Sequence, residues 1–506
     1  MGSEMCIRDS TPDVLADQLA ATESRLQRLE YDDLSVRRSL AVAHDALAAS
    51  GRRSDRDAAL ALRRLGALHL PTYGAPLIAR LLGTDTDRAE EALDRLVDVA
   101  LLEETAYGRY APHDLVRDFA RELAESGQAV DVARTGVRWY TAVAERVLTA
   151  TVVPGFDQGD RRRPTPTQPP EHTAHVSSVP PFASAEEAFA WSTAELDNIV
   201  ALAERYADAS DQRTAAHVSA LLRLLFPCLQ RGGRVAEMEV LGQVALQLAR
   251  RLGDEVAEAY ALSDLAGMHF LAGRHGDSLD TNDQALRLWQ RLGVVSRVRR
   301  CLGNKGLLLE SLGRYAESEQ ALLACLELSP QLDDPWGDAV AYGHLGNLYE
   351  HTDPRAAIEH HRRSLAIASD IGNVIVAHSA HCNIGYAYLT LGEPEAAVPH
   401  FEESLGMLGG HSDWHGESQS RLGLLRALRL LGRGGRAESE YAELLRRADA
   451  RADGYTSGLA RHQYGLLLRE LGRTEEAREQ WRVALAALDG TDKKEVLAEL
   501  RELLGG

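Results

Sequence analysis

The chain has 506 residues, 45% hydrophobic and 26% charged, too apolar to stay disordered and long enough for about three domains at ~150 residues each. Acidic residues outnumber Lys and Arg by 75 to 56, a formal charge of −19, which argues against an extended surface for nucleic acid or anionic membrane. Only three cations are lysines (Lys305, Lys493, Lys494) and none follows a glycine, which excludes a Gly-Lys-Ser/Thr phosphate loop; no apolar run reaches the ~18–20 residues of a membrane span.

Residues 1–10, MGSEMCIRDS, resemble the translation of a sequencing adaptor. That resemblance implies that they are artefactual and that a domain is missing upstream, so Cys6 is set aside. The five cysteines are scattered, as expected for a reducing cytoplasm. Residues 11–50 are predicted helical, with Leu15, Leu19, Leu26 and Leu29 near one face and a second helix around 33–49.

Residues 51–125 form a different unit. A helix over 57–68 is followed by the breaker Pro71-Thr-Tyr-Gly74. A short helix over 75–82 stops at Gly83. Thr84-Asp-Thr-Asp87 offers cap side chains to a helix over 88–101. Residues 102–111, with a turn at Tyr107-Gly108, read as a hairpin. Asp114 is placed to cap the helix after it. Three helices and a hairpin describe a winged helix. Its third helix carries Asp87, Glu90, Glu91, Asp94 and Asp98 against Arg88 and Arg95; beside phosphates such a helix loses Coulomb energy, so direct DNA binding is not expected.

A helix is expected over 126–150 and a linker over 151–181, where seven of 17 prolines crowd around Arg161-Arg-Arg163. The simplest reading of those arginines is a solvated charge run. Helices over 182–214 lead into a repeat over 215–490. Leu-Gly-Arg or a close variant ends a helix at Gly233, Gly273, Gly313, Gly392, Gly432 and Gly472, with Asp353 in place of the missing glycine. Seven units of ~40 residues result, each a helix pair. Small residues seven before the marker (Ala266, Gly306, Gly346, Gly385, Gly465) and five after it (Ser278, Ser318, Ala397, Ala437, Ala477, with Ala357 equivalent in the fourth unit) let paired helices approach. Rings four positions later (His361, Phe401, Tyr441, Trp481) fill the gaps. Residues 491–506 read as a capping helix. The expected fold class is therefore all-α, a winged-helix domain followed by an α-solenoid.

The repeat resembles the tetratricopeptide repeat (TPR), most closely over 341–368. The resemblance implies a concave groove for a protein or peptide ligand. Glu310, Asn347, Glu350 and Tyr386 are the candidate groove residues, with solvated surface positions as the alternative. Nine of 18 histidines lie between His344 and His415, but no second close-spaced pair joins His378 and His381, and no metal is expected. Without HExxH, CxxC or GxSxG motifs, no hydrolytic activity is expected.

Tyr110-Ala-Pro-His113-Asp114-Leu-Val-Arg-Asp-Phe119 resembles the MHD-type motif of NB-ARC proteins, members of the STAND class of signalling NTPases. Pro112 stands in place of Met. The resemblance implies that His113 and Asp114 belong to the nucleotide-binding motif at a helix N-terminus, with His113 reaching the β-phosphate of ADP, where free N–H groups suit an anion. A plain loop histidine with a capping Asp is the alternative. Ser35–Leu47 and the Trp…Glu…Asn stretch Ala188–Leu202 match the order of parts in AfsR/SARP-like bacterial regulators, NB-ARC/STAND proteins with TPR repeats. By that resemblance this chain is a catalytically inert sensor portion. ADP or ATP would be held by an upstream nucleotide-binding domain, and the active state could be oligomeric. A TPR scaffold without nucleotide switching and a winged-helix DNA-binding regulator are the alternatives.

Overall fold

Alternation is confined to a few short stretches and helical periodicity governs the rest, and the chain folds accordingly. The computed structural model describes residues 30–31, 34–124, 129–152, 154–208, 210–408 and 413–505. The adaptor-like segment and the leucines at 15–29 lie outside the described residues. Two compact units are formed, one from the chain up to Ala142 with His172–His175 and Glu195–Ala209, the other from Val143–Glu171, Val176–Ala194 and Ser210–Gly506.

In the first unit, strands β1 (Glu30–Tyr31) and β2 (Leu34–Ser35) precede helix α1 (Val36–Ala48). Then follow α2 (Arg53–Leu68), β3 (Tyr73–Gly74), α3 (Ala75–Leu82), α4 (Thr86–Asp98), β4 (Glu103–Ala106), β5 (Arg109–Ala111) and α5 (Asp114–Ala124). Asp85, rather than a residue nearer Arg88, caps α4 by accepting from the Arg88 N–H at 2.9 Å. That helix ends at Asp98, three residues before the predicted stop, because Ala100 turns left-handed (φ 56°) and buries Leu101 and Leu102. The hairpin is present, with Gly108 at φ 66°. A third strand joins it in the order β3-β5-β4, pairing Tyr73 with Tyr110. Pro71 and Gly74 disguised those two residues as a breaker. Helices α2 and α5 pack so closely that a Cβ on Gly66 would overlap the Ala120 carbonyl.

The remaining described helices are α6 (Ala129–Thr151), α7 (Phe156–Arg162), α8 (His172–Ser177), α9 (Ala185–Ala207) and, from Gln212 onward, seven antiparallel pairs. Their first helices are α10 (Gln212–Gly232), α12 (Glu255–Leu271), α14 (Val295–Ser311), α16 (Pro335–Glu350), α18 (Val374–Thr390), α20 (Trp414–Leu430) and α22 (Gly454–Glu470). The second helices are α11 (Val235–Leu252), α13 (His275–Leu292), α15 (Tyr315–Glu327), α17 (Pro354–Asp370), α19 (Pro394–Leu408), α21 (Gly434–Asp449) and α23 (Thr474–Ala487), and α24 (Lys494–Gly505) follows. All six marker glycines have positive φ. Asp353 instead caps α17 through the N–H groups of Arg355 and Ala356. A second series of left-handed residues, Gly253, Gly293, Asp333, Gly372 and Ala452, lies where one pair passes to the next.

Within a pair, the small residue of the first helix receives the large side chain of the second. A Cβ on Gly346, Gly385 or Gly465 would lie 2.3, 2.8 or 2.2 Å from His361, Phe401 or Trp481. In the second and third pairs the buried Ser278 and Ser318 hydroxyls also donate to the carbonyls of Ala266 and Gly306, each at 2.7 Å. Phe401 is fully buried against Gly385 and Gly423. We expect Phe401→Ala to lower stability by about 3–5 kcal/mol in urea unfolding; a loss below about 1 kcal/mol would mean that its site collapses freely.

The array curls until its first two pairs meet the sixth and seventh pairs and the last helix. Arg451 Nε donates to the Gly232 carbonyl at 3.1 Å, and the Asp492 N–H donates to the Gly273 carbonyl at 2.9 Å. Asp492 Oδ2 accepts from the Gly276 N–H at 2.8 Å. Trp414 lies against Gly233 and Tyr455 against Gly273. Arg451 stacks 4.6 Å from the centroid of the Trp414 ring, whose Nε1 donates to Asp453 at 2.7 Å.

Candidate functional site

In the first unit the chemistry-bearing residues gather around the hairpin. His113 follows β5 by one intervening residue, Pro112, and immediately precedes α5, with its side chain 65% exposed and Nε2 3.4 Å from Glu103 Oε2. Asp114 is the first residue of that helix and is exposed. An exposed imidazole at a helix start can reach an anion from outside the unit.

The Trp…Glu…Asn stretch supplies the ties that hold this region. Glu195 accepts from Tyr140 Oη at 2.7 Å and from Asn198 Nδ2 at 2.6 Å, and it pairs with Arg109 of β5. Asn198 Oδ1 accepts from the Thr72 N–H at 3.1 Å. Burial, followed by the Glu195 charge, pushes the Tyr140 hydroxyl well above its ordinary pKa. On α4 both cations turn inward: Arg88 grips Asp57 at 2.6 and 2.8 Å, and Arg95 meets Asp55 at 2.6 Å. Both arginines of that helix are thus paired with acids of α2.

In the second unit the proline-rich segment is not a solvated linker. Helix α7 carries Arg161, 4% exposed, onto Asp264 and the Arg223 carbonyl. Asp157 lies 3.0 Å from Arg297 Nη1 and 2.6 Å from Arg300 Nη1. Arg161, Arg223 and Arg297 surround the Tyr260 ring, 5.2, 5.6 and 4.8 Å from its centroid. Burial alone would raise the Asp157 carboxyl, but Arg300, Arg297 and Arg161 outweigh it and hold the group far below the usual range. Burial pushes Arg223 down to about 10. The expectation of a charge run in water fails for Arg161 because its partner lies 103 residues away; Arg162 and Arg163 do remain exposed, with side chains 48% and 70% accessible.

Beside this network a cavity of about 430 Å³ opens among the first helices of the pairs. Trp336, Val340, Gly343, His344 and Asn347 line it along one face of α16, and α18 and α20 contribute Ile375, Ser379, Asn383, His415 and Gln419. Val152, Pro154, Gly155 and Asp157 close one side. Burial pushes the His344 imidazole down to about 4, so it is neutral at pH 7.

Of the four groove candidates, Asn347 lines this cavity. Glu310, Glu350 and Tyr386 instead join neighbouring repeats. Glu310 pairs with His351, Glu350 accepts from Thr390 Oγ1 at 2.6 Å, and Tyr386 Oη donates to the Gln419 carbonyl at 2.8 Å. The lining lies mostly nearer the helix N-termini. The 336, 340, 343 and 347 spacing on α16 carries that signal, since it follows one helical face. Among the histidines, His378 bonds Asp413 at 2.9 Å and Ser404 at 3.3 Å, while His381 meets His400 at 3.1 Å. The two therefore point to different partners.

Residues 297–370 and 378–407, within the third to fifth helix pairs, match the tetratricopeptide repeat family, and the other pairs repeat the same two-helix arrangement. Beyond the repeat, the chain is homologous to the AfsR regulators. It is 26% identical to the regulatory protein AfsR of Streptomyces griseus over 510 residues, covering 98% of this chain and 49% of that protein. Against the regulatory protein AfsR of Streptomyces coelicolor it is 26% identical over 389 residues, covering 75% and 37%. The chain thus spans about half the length, or less, of these curated relatives. Among solved structures, the signal transduction ATPase with numerous domains and a tetratricopeptide repeat sensor from Pyrococcus horikoshii overlays with a TM-score of 0.48 at 14% identity, over 99% of this chain and 71% of that one. A Rap protein complexed with competence and sporulation factor overlays at 0.46 with 15% identity, over 73% and 100%. No helix among the described residues is long and apolar enough to cross a membrane.

Proposed function

We propose that this chain is the sensor and regulatory portion of a STAND-type signal-transduction regulator. The second unit receives a protein, peptide or small ligand. The first unit, a winged helix by its element order, reads the nucleotide state of a domain elsewhere in the whole protein. The observation that carries the reading is the cavity of about 430 Å³ lined by the first helices of consecutive repeats, within the size range of ligand sites. Homology to regulatory proteins supports the regulatory role. The chain itself performs no catalysis in this reading.

His113 is the proposed contact to nucleotide. Its exposure and its place at the start of α5 suit the β-phosphate of ADP, and its neighbour Glu103 is itself half-exposed. Ligand in the cavity would then shift the balance between ADP-held and ATP-held states only as far as it binds one state more tightly. In the whole protein, His113→Ala is expected to speed ADP release about tenfold, the loss of roughly 1.4 kcal/mol, as measured by displacement of fluorescent ADP. An unchanged release rate would remove His113 from the switch and leave a ligand-binding repeat scaffold.

A further inference from the structure

Arg231 stands at the cavity wall in the last turn of α10. Its Nη1 donates to the Thr151 carbonyl, and among the described residues no carboxylate comes within ion-pair reach of it. The two acids whose charge bears on it most, Asp413 and Asp157, are both engaged elsewhere. Asp413 holds His378 at 2.9 Å and the Gly416 N–H at 3.2 Å, and Asp157 holds Arg297 and Arg300. Arginine keeps its proton under almost any surroundings, and a half-buried cation without an acidic partner is costly unless something pairs with it. A second carboxylate on the wall, Asp334, is held by Arg299 at 3.1 Å, and Phe270, Trp336, Val340, Ile375 and Val376 supply apolar surface among polar neighbours such as Asn347, Ser379 and Gln419.

From this arrangement we infer that the cavity takes a ligand with a single carboxylate, bound by Arg231, and an apolar body packed on Trp336 and its neighbours. The inference rests on the cavity being the sensor site and names the class of molecule sensed. One guanidinium presents a planar pair of donors that matches one carboxylate. The same chemistry is offered by a small free acid and by the C-terminus of a short apolar peptide.

The test compares four fluorescent probes on the chain: 1-pyrenebutyric acid and N-dansyl-Val-Leu, each as free acid and as methyl ester. At least one acid is expected to bind ten or more times tighter than its ester, and the acid that does so identifies the source. Arg231→Gln should abolish the preference, and Arg231→Lys should retain part of it. Gly343→Leu should block acid and ester alike, because a Cβ there meets only Ser364 Oγ at 3.7 Å and a longer side chain enters the cavity. Equal affinity of acid and ester for the unaltered chain would overturn the inference, as would no binding by any probe or a preference that survives Arg231→Gln. The acid–ester comparison needs no variant, so misfolding of Arg231→Gln cannot rescue it. Nor does it touch the nucleotide reading, which is decided by ADP release from the whole protein.

Discussion

Alanine at Gly233 is expected to destabilise the second unit by about 3 kcal/mol, well beyond the effect of alanine at Gly432. Both glycines turn left-handed, with φ 68° and 67°, so both replacements carry the ~1–2 kcal/mol penalty of that conformation. Both also share the gain of ~0.4–1 kcal/mol from a stiffer unfolded chain. The difference lies in space. A Cβ at Gly432 meets nothing, whereas at Gly233 it would lie 2.0 Å from Cδ1 of Trp414. Trp414 cannot readily yield, being 3% exposed and tied to Asp453 and Arg451, so overpacking adds ~1–3 kcal/mol. Urea unfolding of the two variants measures the contrast. Equal losses would show that the ring does not rest on Gly233.

Arg161→Met is the second large expected effect. It strips the guanidinium from Asp264, 3% exposed, and removing one partner of a buried pair costs about 3–5 kcal/mol. The cycle with Asp264→Leu separates a lost pair from lost packing. The double variant should recover most of the stability, because two apolar side chains in place of a buried ion pair are often neutral or better. A single-variant loss under about 0.5 kcal/mol, typical of surface positions, would place Arg161 in water.

These two positions show where the sequence was legible and where it was not. Gly233 is recognisable from its period, because each turn imposes the same backbone demand on the same register. What the period hides is that Gly233 and Gly273 carry an extra constraint from side chains about 180 residues later, while Gly432 does not. Arg161 shows the same limit for charge. Local composition described Arg161-Arg-Arg163 as a solvated run, and only tertiary structure brings Asp264 to the first of them. In the first unit the hairpin and α3 were readable from turn chemistry at Gly83 and Gly108. Strand β3 was not, being two residues long and flanked by helix and strand breakers. In the candidate site, Asn347 lay on a readable face. Glu310 and Glu350 were placed with it because charge on a helix looks alike whether it faces a ligand or the next repeat.

The ligand reading and the position of Arg231 both depend on the array closing upon itself. Site-resolved amide hydrogen exchange at Gly276 and Asp492 tests this directly. Gly276 is the second residue of α13, where helical amides lack intrahelical partners, and its N–H is satisfied only by Asp492, 216 residues away. Closure predicts that both amides exchange slowly and that Asp492→Ala releases Gly276 to the rate of an ordinary first-turn amide. Rapid exchange at both positions in the unaltered chain would show an open array and contradict a cavity whose wall joins Arg231 of the first pair to His415 of the sixth.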